Sequence, residues 1–160
     1  MSAWCEWVSK VRCAMPKIGR RQIPGLLLRM VPESRAGIEK MSGLPAERAV
    51  TGNVEWFDLY DFLREVVFWG VVRPALQARE QDAGLLSRCA EFTETLLLNS
   101  TESVSAAAYF QLVEPLYGGE ELLTAAVPLM RPETLRITLG ELDPDRLSAQ
   151  TRAELADFLP

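Results

Sequence analysis

The sequence predicts an all-α protein, an irregular antiparallel helical bundle or a stack of helix pairs in one domain. Three observations carry that reading. Apolar residues recur at spacings of three and four through most of the chain, the period of a helix set against a core. Only residues 50–54 would be considered for a strand, because no other segment alternates apolar and polar residues for long enough. Proline, glycine and capping residues punctuate the helical runs at short intervals, and short loops between helices make neighbours antiparallel. With 160 residues, 48% of them apolar and 24% charged, the chain has a globular composition and can fold without a disulfide or metal.

Residues 1–21 read as a basic N-terminal segment with a short amphipathic helix. Trp4, Trp7, Val8 and Val11 share one face, Pro16 and Gly19 end it, and Lys10, Arg12, Lys17, Arg20 and Arg21 give it charge. It either packs back on the body or touches a partner or membrane surface. Residues 22–160 form the helical domain. Pro24 suits the first turn of a largely buried helix over 23–31, which Pro32 breaks. Ser34 can cap a helix over 35–41, closed by Gly43 and Pro45, and 43–53 read as a loop. The longest element is expected over 54–80, with Trp56, Leu59, Tyr60, Leu63, Val66 and Val67 inward, and with a kink or break at 70–73 ahead of Pro74. Asp82 caps a helix over 83–98, Thr101 one over 102–113, and Pro115 with Gly118 and Gly119 ends the latter. Shorter helices follow over 120–130 and 132–139. Asp143, Pro144 and Asp145 then make a turn before a final helix over 147–159.

The net charge is −5 and unevenly placed. Residues 1–48 hold nine Lys/Arg against four Asp/Glu, whereas 49–160 hold eight Arg against eighteen Asp/Glu, and no lysine follows Lys40. An acidic body argues against nucleic acid, which needs clustered cations. It suits a basic protein partner, and it also serves plain solubility. No run is long and apolar enough to span a bilayer, since 66–78 contain Arg73 and Pro74. No secretory signal is expected, and the expected location is cytoplasmic.

Missing residue types narrow the chemistry. The chain has no histidine, which removes Ser-His-Asp and Cys-His arrangements and every imidazole metal site. Cys5, Cys13 and Cys89 are too few for a four-cysteine zinc site and read as reduced thiols, Cys89 inside a helix–core contact. No phosphate-binding glycine loop is present. The chain is expected not to be an enzyme and to need no cofactor or metal.

Carboxylates remain. Glu55, Asp58, Asp61 and Glu65 fall at steps of three, three and four, which on a helix make one acidic stripe. That stripe reads as a solvated face, a contact surface for a basic partner, a paired-carboxylate site or a hard-cation site. Trp56 and Tyr60 lie beside it, as core residues or as aromatic anchors of an interface. A second acidic group, Glu91 and Glu94 with Glu102, and a third, Glu120 and Glu121, have structural explanations at helix ends.

The runs QIPGLLLRMVPE, FLREVVFWGVVRPAL, DAGLLSRCAEFTETLL, EPL and PLMRPET lie within residues 22–140. In them the chain resembles an uncharacterised family of short acidic helical bacterial proteins of the polymorphic-toxin immunity type. These are helix-packing motifs, and the family supplies no catalytic residues. The resemblance implies an immunity protein that binds and neutralises a cognate toxin, the partner being a basic toxin domain. Glu55, Trp56, Asp58, Tyr60, Asp61 and Glu65 are then the expected contact residues. A helical adaptor or regulatory subunit of a larger assembly shares the same features, and a carboxylate hydrolase with a divalent cation is the third reading.

Overall fold

The computed structural model describes residues 16–159. The amphipathic helix expected within residues 1–15, with Cys5 and Cys13, lies outside the described residues. Among the described residues nine helices make a single all-α domain: α1 Ile23–Met30, α2 Arg35–Ser42, α3 Ala46–Ala49, α4 over 59–77, α5 Ala83–Asn99, α6 over 102–113, α7 Glu120–Ala126, α8 Pro132–Gly140 and α9 Ala149–Glu154. Short 3-10 turns join several of them. Among the described residues there is no strand, including over 50–54. One isolated parallel bridge pairs Ile18 with Ser100.

The early helices follow the sequence with two differences. Ser34 does not cap α2, because the 3-10 turn Pro32–Ser34 runs directly into it and leaves Ser34 in helical geometry. Its hydroxyl donates instead to the Val31 carbonyl at 2.7 Å. The segment read as a loop contains α3, whose Ala46 and Ala49 are buried. Gly37 lets α2 approach α4 closely. A Cβ there would sit 2.9 Å from Val66 Cγ1, inside the contact distance side chains tolerate.

The central element departs from expectation at both ends. It starts at Leu59, not residue 54, because Asp58 is extended and its Oδ1 accepts the Asp61 N–H at 3.0 Å, an N-cap. Residues 54–57 instead form no helix and bend at Trp56 and Phe57, with Val54 and Phe57 buried in the core. The helix ends at Gln77, where Ala78 turns extended. No break occurs at 70–73. The chain winds as a π-helix over Phe62–Val72 and returns to α-helix over Arg73–Gln77, with Pro74 in the first turn of that last stretch. The Arg73 N–H donates to the Phe68 carbonyl, five residues back, so the wider winding is already established when the residue without an N–H arrives. Gly70 belongs to this winding, since a Cβ there would lie 3.0 Å from the Glu65 carbonyl oxygen.

Asp82 caps α5 through the Leu85 N–H at 2.9 Å, as the sequence predicts. The next helix, α6, changes from α to π winding at Tyr109–Val113, and a 3-10 turn over Glu114–Gly118 continues past Pro115. The final helix is shorter than expected: Ser148 caps α9, and it stops at Glu154. The main core gathers α1, α2, α4, α5 and α6 around fully buried Ile23, Leu27, Ile38, Phe62, Leu63, Phe92, Leu96 and Val104. Each such side chain contributes about 1.5–3 kcal/mol relative to exposure. A second, smaller cluster holds the C-terminal part, with Leu155 packed against Leu123 and Val127.

Tertiary caps fasten these layers. Glu94 of α5 accepts the N–H groups of Glu133 (2.6 Å) and Thr134 (3.0 Å), the orphan donors at the start of α8. Arg88 grips Glu33 through two hydrogen bonds of 2.7 and 3.0 Å, tying α5 to the turn before α2. These contacts absorb part of the acidic inventory into structure.

Candidate interaction surface

The four carboxylates of the expected stripe do not share one helical face. Glu55 lies before the helix and is held by Arg21 of the basic segment. Beside it, Arg20 donates to the Phe57 carbonyl and stacks over the Phe57 ring at 5.1 Å. Asp58 is the cap of α4. Only Asp61 and Glu65 stand on the helix, and both bind Arg64: Nη2 to Asp61 Oδ1 at 2.5 Å and Nε to Glu65 Oε1 at 2.9 Å. The hydrogen bond to Glu65, with the negative charge of Asp61 added, holds the Arg64 guanidinium above its ordinary value. The trio carries one net negative charge and leaves about half of each side chain open to solvent. Among the described residues, no three His, Cys, Asp or Glu side chains are grouped so as to hold a metal ion.

The two expected aromatics divide. Trp56 is half-buried: its indole N–H donates to the Ala49 carbonyl at 2.8 Å and its ring meets Phe57 and Phe62. It serves the core. Tyr60 is 41% exposed at the start of α4.

Trp69 is the residue the sequence reading missed. It follows Asp61 and Glu65 by further steps of four, is 47% exposed, and lies in an apolar run that hides it. Arg73, four residues on, places its guanidinium 4.1 Å from the Trp69 ring centroid, a cation–π contact that orients the indole. Its Nε is buried without a hydrogen-bond partner. The outer face of α4 thus runs Asp61, Arg64, Glu65, Trp69, with Tyr60 at one end. Counting on by fours from Asp61 was the available signal.

The chain matches no family model, no curated protein and no solved structure.

Among the described residues the one cysteine, Cys89, is buried. Burial, with the negative charge of Glu33 added, pushes the Cys89 thiol up to about 12, so it stays a neutral core thiol rather than the thiolate a nucleophile requires. It lines a small cavity of about 50 Å³ with Leu86, Leu116, Met130 and Thr134. Among the described residues no helix is long and apolar enough to cross a membrane.

Proposed function

We propose that the protein is a non-catalytic bacterial interaction protein of the immunity type, which binds and neutralises a cognate toxin through the outer face of α4. The observation that carries this reading is a half-exposed tryptophan aligned with a net-negative Asp61–Arg64–Glu65 trio on one helix. Tryptophan and tyrosine are enriched among the residues that dominate binding energy, and a carboxylate pair is a natural acceptor for a partner's arginine. The ion pairs within the trio are solvent-exposed and screened by water, so a partner cation displaces Arg64 at little cost. The acidic character of residues 49–160 would steer a basic domain toward this face.

Glu55 and Asp58 serve this role less directly. Glu55 is matched by Arg21, and Asp58 sets the start of the helix that presents the face. Coexpression with the product of the adjacent gene tests the proposal. The expected result is a co-purifying complex and relief of that product's toxicity, both lost on Asp61→Lys/Glu65→Lys. An adjacent product that is harmless alone, in a complex that persists, favours an adaptor subunit instead.

A further inference from the structure

We propose that the cavity between α4, α5, α6 and α8 binds a small neutral molecule, with an apolar body and one hydrogen-bonding group that Thr134 receives. A short-chain alcohol is the simplest member of that class. The cavity has a volume of about 50 Å³. Val72 and Leu76 of α4, Leu86 of α5, Leu112 of α6 and Met130 help to line it, and apart from Thr93 and Thr134 its walls are apolar.

Thr134 supplies the observation that points to a ligand. The residue is 4% exposed, and its Oγ1 is buried without a hydrogen-bond partner. The other threonine of the wall is satisfied, since Thr93 Oγ1 donates to the Cys89 carbonyl at 3.0 Å. Buried polar groups are paired as a rule, because an unpaired one has lost water and gained nothing in return. Only three buried side-chain polar atoms lack a partner among the described residues, so each calls for a reason. Of their residues, Arg73 and Thr138 do not line the cavity and Thr134 does.

Size and chemistry select the occupant. One water takes roughly 10–15 Å³ of such space, and a dry apolar cavity of about 150 Å³ takes benzene. The volume here lies between them and suits a molecule of about two to four non-hydrogen atoms. Water alone is poorly held, because it needs several polar partners and these walls are mostly hydrocarbon. A charged molecule is disfavoured, because no ionised side chain lines the cavity to pair with it. Glu94, which already accepts the Thr134 N–H, would also repel an anion.

Position gives binding a structural effect. Met130 packs against both the main core and the cluster of Leu123, Val127 and Leu155, so the cavity lies at the seam between them. Val72, Ala90, Leu129 and Met130 are half-buried, which puts that part of the wall near the surface. A molecule bound there fastens the C-terminal helices to the core and stabilises the fold by mass action. None of Tyr60, Asp61, Glu65 and Trp69 lines the cavity, so this inference stands apart from the partner proposal.

Methyl NMR of the full chain, titrated with 1-propanol or equilibrated with xenon, tests it. Both probes should give saturable shifts at the methyls of Leu86, Leu116 and Met130 and leave those of Leu27 and Ile38 in place. Thr134→Val exchanges the unpaired hydroxyl for a methyl group. It should weaken propanol binding roughly fivefold, the worth of one hydrogen bond, and leave the binding of xenon, which makes none, unchanged. Ala126→Leu, which fills the cavity from its wall, should abolish both responses. Unsaturating shifts spread over distant methyls would overturn the proposal as a solvent effect. Propanol affinity unchanged by Thr134→Val would overturn it too, and so would an equal loss of both probes in that variant.

Discussion

At the scale of single residues, the acidic chain spends many of its carboxylates on its own backbone and cations. Glu94 is the clearest case. Its two hydrogen bonds to the start of α8 replace a cap that Arg131, the residue at that position, does not supply. Glu94→Ala is expected to destabilise the fold by about 1–2 kcal/mol, the usual cost of losing a cap, measurable by urea unfolding. Glu120 acts similarly on α9. Hydrogen bonds from Ser148, then Thr151 and the Ser148 N–H, hold its carboxyl below the ordinary glutamate value. A lowered folded-state value means a stabilising contribution that is full above the unfolded-state value and is lost as pH falls through the folded one. Thermal stability between neutral and acidic pH should therefore fall less in Glu120→Gln than in the native chain. On the α4 face, Trp69→Ala is expected to weaken partner binding by about 2 kcal/mol, roughly thirtyfold in Kd, by calorimetry on the co-purified complex. Trp56→Ala should damage stability instead, because its indole is bonded to Ala49 and packed on Phe62.

At the scale of elements, the π winding of α4 decides which side chains face out. Gly70 is its most constrained position, with the Glu65 carbonyl oxygen where a Cβ would press. Glycine to alanine in an ordinary helix interior gains up to about 1 kcal/mol; Gly70→Ala is expected to bring no such gain. Gly37→Ala should cost about 1–3 kcal/mol, the range for overpacking, because it drives into Val66. Differential unfolding of the two variants checks both. The elements also show how far sequence reasoning reached. The helices over 23–30 and 83–99 and the Asp82 cap were legible because periodicity and capping chemistry coincide there. Residues 54–58 were not. Their apolar residues continue the helical period, but the Asp58 side chain competes for the Asp61 N–H and the Trp56 indole for the Ala49 carbonyl, and both contacts are tertiary or conformational outcomes. Pro74 announced a break, and the preceding change to i→i−5 bonding, invisible in composition, removed the need for one.

At the scale of the molecule, a large core over α1–α6 is joined to a small C-terminal cluster around Leu155, and charge is compensated both within single helices and between distant sequence segments. The basic stretch after Gly19 neutralises Glu55, Arg88 neutralises Glu33, and the net negative charge left outside these pairs includes that of the α4 face. Of the expected contact residues, this arrangement leaves Tyr60, Asp61 and Glu65 presented together, gives Glu55 and Asp58 structural work, and adds Trp69. The central claim is that this face binds a toxic partner and silences it. Growth of cells expressing the adjacent gene's product measures it most directly, with the native chain or with Asp61→Lys/Glu65→Lys/Trp69→Ala supplied alongside, after circular dichroism has shown the variant folded. The account predicts rescue by the native chain and failure of the folded variant. Equal rescue by both would contradict it.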